Sequence, residues 1–156
     1  MDKETKEIWD KLRARFPESA YKDVTLGRTF TSIDAYHIIE RLTDVFGLMG
    51  QGWTLENIKF ETQGSSVACI GELVVPKLKL RVPAVGDGVI LKINIAEAMK
   101  KAQTNLISKA SSFIGVGLDV YQGKHDSDPL LDRAQFIEPE GGSQPPRKGK
   151  SSGDFF

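Results

Sequence analysis

The 156-residue chain is 40% apolar and 27% charged, proportions of a single folded domain that exclude a chain disordered throughout and one embedded in a membrane. Its 21 Lys and Arg offset 21 Asp and Glu, so no overall charge draws it to nucleic acid or a lipid surface, and any electrostatic function has to come from local patches. The only cysteine, Cys69, and the only histidines, His37 and His125, exclude an intrachain disulfide, zinc sites of four cysteines or of two cysteines and two histidines, and a His-rich metal site.

The opening MDKETKEIWDKLRARF alternates in charge without the apolar stretch of a signal peptide, and no later run nears the ~18 apolar residues of a membrane helix. A reducing, cytoplasmic setting without a membrane partner is expected. Ile8, Trp9, Leu12 and Phe16 recur at helical spacing and predict an amphipathic helix over about 4–15, stopped by Pro17. Residues 21–30 mix β-branched, aromatic and polar side chains, which predicts a strand or an extended arm. A second helix follows, with Ser32 as its expected N-cap, Asp34 in its first turn, and Ile38, Ile39, Leu42, Val45 and Phe46 as its apolar stripe. Gly47 closes it, and GLMGQGW reads as a turn.

Three strands are predicted next, over 53–61, 65–75 and 77–82, with Gly64 and Pro76 at the turns of an antiparallel meander. After the loop PAVGDG and a short apolar run at 89–93, the period changes to that of a helix over about 95–114. Ile95, Met99, Ala102, Leu106, Ala110 and Phe113 fall on one side of it, with Ala98 beside them. Gly115 and Gly117 end that helix, and Val116, Leu118, Val120 and Tyr121 form a last ordered piece. The expected fold class is α+β: a β-β-β-α core in which the meander packs on the long helix, preceded by an N-terminal helix. One domain over 1–125 is expected, with a largely disordered, flexible tail over 126–156 whose GGSQPPRKGKSSG has linker composition, and with disorder beyond about residue 138.

The chain holds no Walker A loop, no GxSxG elbow and no paired Cys and His nucleophile set, and the glycines of GLMGQG do not follow a strand and open a helix. A protein that is not an enzyme and needs no cofactor is expected. Asp34, Glu40 and Asp44 lie on one helix's polar side and read as a solvated face rather than a metal site. Charge becomes informative locally: between residues 76 and 109, seven basic residues (Lys77, Lys79, Arg81, Lys92, Lys100, Lys101, Lys109) stand against the two acids Asp87 and Glu97. In a strand, Lys77, Lys79 and Arg81 would share one face at a spacing of about 6.5–7 Å, which suits a phosphate backbone; an edge strand protected from aggregation is the alternative.

On the long helix Lys101, Asn105 and Lys109 recur every four residues along one border of the apolar stripe, with Thr104 and Ser108 as further hydrogen-bond donors beside the cations. An ordinary solvated face with snorkelling side chains is the alternative there. His37 lies beside the second helix's stripe with Arg41 one turn on, a pair that suits either phosphate contact or a structural role. Tyr36, near the polar side, is the candidate for stacking on bases, whereas Trp53 and Phe60 suit the core.

Taken in order, these pieces resemble the annealing domain of the Rad-fifty-two superfamily. SIDAYHIIERLTDVFGLMGQGWTLE, residues 32–56, looks like the family's helix followed by its FG and GW turn; AMKKAQTNLISKASSFIGVGLDVY, residues 98–121, looks like its long helix with an Ala-x-Thr core and an FG-type exit. The resemblance covers about 17–121, and the small size is similar to bacteriophage or prophage members, which would place the protein in a bacterial host cell. It implies self-assembly into rings or filaments, single-stranded DNA in an outer basic groove, and annealing of complementary strands without ATP. The family's early basic contact on the second helix falls on His37, its adjacent basic pair on the long helix falls on Ser108 and Lys109, and a third contact lies nearest Lys92. Only Lys109 of that pair keeps a permanent charge, with Lys101, Lys77, Lys79 and Arg81 as compensating cations.

Three other functions suit the same sequence: a DNA-end protector of this fold that does not anneal, a double-stranded-RNA-binding module of α-β-β-β-α order, and a structural oligomer without nucleic acid. The final SSGDFF faintly resembles the tips by which bacterial single-strand-binding proteins recruit partners. A single-strand-binding protein or a recombination exonuclease is the further partner class this admits, while Arg147, Lys148 and Lys150 suit loose DNA contact or solubility.

Overall fold

A computed structural model of the protein describes residues 1–25 and 29–122. The tail expected over 126–156, and the disorder expected beyond 138, lie outside the described residues. The elements in order are α1 (Lys3–Leu12), β1 (Tyr21–Thr25), β2 (Thr29–Ile33), α2 (Ala35–Phe46), β3 (Thr54–Gln63), β4 (Ser66–Val75), β5 (Leu80–Val89), α3 (Ile95–Phe113) and α4 (Leu118–Tyr121). The fold is α+β: β3, β4 and β5 form an antiparallel meander with α3 packed on one face, while α2 packs on α3 and α1 on α2. No helix among the described residues is long and apolar enough to cross a membrane.

The two helical N-termini of the first half are capped by aspartates. Asp2 accepts the Thr5 N–H at 2.8 Å, and Asp34 accepts the Tyr36 N–H at 3.1 Å. Asp34, not the expected Ser32, is therefore the cap of α2, and Ser32 instead pairs with Lys22 in the β1–β2 ladder. The single strand or arm expected over 21–30 is in fact a hairpin of two short strands, of which residues 26–28 fall outside the described residues. Gly47, at φ 103°, ends α2, and a Cβ on Gly52 would lie 1.9 Å from the Phe46 carbonyl oxygen, so the turn closes only with glycine there. Trp53, which follows, is fully buried with Leu12, Phe16, Leu42, Leu73 and Val116 in the main core.

The third strand departs most from expectation. Instead of occupying 77–82, it begins at Leu80 and runs through PAVGDG to Val89, while Pro76–Leu78 forms a single 3₁₀ turn and Lys79 is left-handed at φ 50°. PAVGDG reads as a loop because of its small residues, yet their smallness is what lets a helix lie on them. A Cβ on Gly86 would fall 2.1 Å from Ala102 O and 2.2 Å from Leu106 N, and one on Gly88 would fall 2.3 Å from Ala98 O. On the helix side Ala98, Ala102, Leu106 and Ala110 are buried, as their spacing predicts, but Ile95 and Phe113 at its two ends are exposed. Asn105 locks the seam, its Nδ2 donating to the Asp87 carbonyl at 2.7 Å.

At the other end of the fold, the Tyr21 hydroxyl donates to Asp119 Oδ2 at 2.5 Å and accepts the Phe16 N–H at 3.1 Å, tying α4 to the segment after α1. Burial, then the Asp119 carboxylate, pushes the Tyr21 phenol up to about 12. A raised phenol pKa means the folded state holds the proton more tightly, so this contribution is intact below pH 10 and is lost as pH rises toward 12. Urea titrations at pH 9 and 11 are expected to show a loss of stability that is smaller in Tyr21→Phe than in the native sequence. Gly86→Ala is expected to cost about 3 kcal/mol, in the range of core overpacking, or to prevent folding. Gly64→Ala, at a turn where φ is 58° and no heavy atom lies within 4 Å, should cost about 1 kcal/mol by conformation alone. Thermal unfolding of the two variants checks the difference.

Candidate nucleic-acid interface

A groove follows α3. One wall comes from the hairpin and the start of α2, through Lys22, Val24, Ser32, Asp34 and Tyr36; the other comes from α3, through Lys101, Thr104, Asn105 and Ser108. Its central part holds about 520 Å³. A hollow of about 890 Å³ adjoins it past Asp87, Val89 and Leu91 toward the start of α3, and one of about 250 Å³ past Val116, Val120 and Tyr121 toward its end. Ser32 and Asn105 line all three parts, so the three adjoin one another along α3.

Of the residues expected from the sequence, Tyr36, Lys101, Asn105 and Ser108 meet in this groove. Tyr36 is 80% exposed, the stance of a ring free to stack. Lys101 makes no ion pair among the described residues. The expected donors are more committed than their spacing suggests: Thr104 Oγ1 donates back to Lys100 O at 2.9 Å, Ser108 Oγ to Thr104 O at 3.2 Å, and Asn105 spends one of its two N–H groups on Asp87. Lys109 lies one turn past Asn105, its ammonium 5.1 Å from the Phe113 ring and 5.3 Å from the Tyr121 ring, which itself lines the narrow end. Lys92 is exposed in the β5–α3 turn, left-handed at φ 50°, just past Leu91 at the wide end.

The remaining candidates are elsewhere. Lys77, Lys79 and Arg81 do not share one strand face, because the first two belong to the turn before β5. Arg81 donates to Glu72 Oε2 at 2.8 Å and Glu56 Oε2 at 2.6 Å on the sheet's open face, where its charge is already answered. Arg41 turns away from the groove, its Nη1 donating to the carbonyls of Lys11, Leu12 and Ala14 while its guanidinium lies 4.2 Å from the Phe16 ring centroid. His37 faces the same way, its ring 6.2 Å from Phe16 and Nδ1 3.9 Å from Glu40. Arg41 is structural by position, since the end of α1 leaves carbonyls to be satisfied and its guanidinium covers them. Cys69 is buried under α3, where burial pushes its thiol up and keeps it protonated.

Lys22, Asp34, Lys100 and Leu91 line the groove without having been expected there. Lys22 bonds Asp34 at 2.9 Å, and that ammonium, with the Tyr36 N–H, holds the Asp34 carboxyl below the usual carboxylate range. Lys100 pairs with Glu97 at 2.6 Å. Lys22, Lys100 and Lys101 thus face Asp34, Asp87 and Glu97 around the lining, so the basic stretch of the sequence does not become a strongly basic groove. The signal for Lys22 is the alternation of residues 21–25, legible only once the hairpin is drawn.

Because Arg41 satisfies three carbonyls, Arg41→Ala is expected to cost about 2 kcal/mol in urea unfolding. The affinity of the folded fraction for oligonucleotides should stay unchanged. No protein-family model matches this sequence, and no curated protein does either.

Proposed function

We propose that the protein binds single-stranded DNA along the α3 groove and anneals complementary strands without ATP, acting as an oligomeric template in recombination or repair rather than as an enzyme. The observation that supports this best is Tyr36, exposed on one wall of an open channel, facing Lys101 and Asn105 on the other. A ring that stacks on any base, beside a cation that takes any phosphate, is the sequence-tolerant chemistry of single-strand binding. The β-β-β-α core in its expected order supports the same reading. Self-assembly is supported by the free edges of β3 and β5 among the described residues, and by the exposed Val85, Val89, Leu91 and Ile93 along and beyond β5.

On this reading, annealing needs no fuel. A strand held by phosphates and occasional stacking presents its other bases outward, and pairing with a second strand supplies the free energy. Specificity comes from the pairing, not from the protein.

Fluorescence anisotropy with a labelled single-stranded oligonucleotide over a salt series, with light scattering on the same sample, tests this. Tyr36→Ala should weaken binding by about tenfold or more, the loss of one stacked base. Lys101→Ala should lower the slope of log affinity against log salt by about 0.7 for each site. Binding without acceleration of strand annealing would leave the end-protecting function. Preference for duplex RNA would favour the RNA-binding module, and indifference to all nucleic acid would overturn the proposal.

A further inference from the structure

On the flank formed by α1 and the last turn of α3 lies a second, apolar cleft. Ile8, Trp9, Leu12, Leu78, Phe113 and Ile114 are its main lining, around a volume of about 310 Å³. A cavity of about 150 Å³ accepts one benzene ring, so this cleft has room for two. Phe113 is 59% exposed and Leu78 39% exposed, which leaves large apolar side chains in water on one patch. Cations rim it. Arg13 lies 5.7 Å from the Trp9 ring, Lys109 lies 5.1 Å from the Phe113 ring, and Lys77 and Lys79 flank Leu78. None of these four makes an ion pair among the described residues.

We propose that this cleft is the docking site of the chain's own Asp154-Phe155-Phe156 segment. Three features select that occupant. The segment offers two adjacent aromatic rings with an acid before them, the complement of an apolar cleft for two rings with a cationic rim. The described chain ends beside the cleft, because Tyr121 shares the Lys109 ammonium with Phe113. Residues 123–153 can span about 100 Å when extended, far more than the domain requires, so a segment on the same chain meets the cleft at high effective concentration. The inference does not depend on DNA binding by the α3 groove, although Lys109 stands between the two surfaces.

The test uses the full chain with a benzophenone amino acid in place of Phe155. Irradiation followed by peptide mapping is expected to give cross-links within one chain to the Trp9, Leu78 and Phe113 region, at a yield independent of protein concentration. Leu78→Ser and Phe113→Ser, both at exposed positions that leave folding intact, should each reduce that yield by about tenfold, the loss of one buried apolar contact. In the unlabelled chain, Phe155→Ala with Phe156→Ala should increase quenching of Trp9 fluorescence by acrylamide, Trp53 being fully buried. Cross-links scattered over the surface, or unaffected by the two serine variants, would overturn the proposal. Cross-links between chains that grow with concentration would overturn it in favour of a second copy as the occupant.

Discussion

Everything that positions the groove depends on how closely α3 lies on β5. The absence of side chains at Gly86 and Gly88 brings the helix backbone within reach of the strand, where a single methyl group would fall little more than 2 Å from Ala102 O. Ala98 and Ala102 maintain that distance from the other side, so the closest approach is between small residues on both elements. Dispersion weakens steeply with separation, and a helix lifted by one methyl would lose contact along the row rather than at one point. The short distance also permits the Asn105 bond to Asp87 O, which fixes the rotation of α3 about its axis. Lys101 and Ser108, one turn to either side, inherit their place in the channel from that bond.

The charged residues divide by whether the fold already uses them. Arg41 and Arg81, whose planar guanidinium groups can serve several acceptors at once, are both absorbed into structure: one covers the last carbonyls of α1, the other bridges Glu56 and Glu72 across three strands. Lys22, Lys59 and Lys100 are likewise paired, but the other lysines around the meander and α3 remain outside. Lys77, Lys79, Lys92, Lys101 and Lys109 stand at turns or on the helix without carboxylate partners among the described residues, spread over both ends of α3 rather than gathered on one face. A count of charge along the chain cannot distinguish these two fates, because it does not see which carboxylates the sheet brings opposite.

Legibility in the sequence follows the same division. The three longer helices and the first two strands of the meander are readable, because their apolar residues repeat with the period of the element and proline or glycine stands at or near their ends. The third strand is readable only at its start, since past Val82 its inner face is made of Ala84, Gly86 and Gly88 and so lacks the apolar alternation that marks a strand. Starting the third strand three residues early also misplaces Lys77 and Lys79 by assigning them a strand that begins only at Leu80. The groove was half legible: spacing on α3 identifies one wall, but the opposing wall comes from a hairpin whose pairing is a tertiary fact. Asp34 shows the finer limit: read from the sequence as a first-turn acid, it is the cap itself, because the hairpin has already claimed Ser32.

The near balance of charge around the channel constrains the mode of binding proposed for it. With Lys22 and Lys100 held by Asp34 and Glu97, one copy of the groove would offer few cations to the proposed strand, so affinity there would have to come in good part from stacking on Tyr36. Weak individual sites are compatible with tight overall binding when many are linked, because each further engagement is intramolecular. They also leave each nucleotide free to detach without the whole strand dissociating. A template that must release a paired duplex benefits from that arrangement, whereas a deep, strongly basic channel would retain the product as firmly as the substrate. In the proposed function, assembly through the β3 and β5 edges, which are unpaired among the described residues, would supply avidity, and a modestly charged groove would keep it reversible.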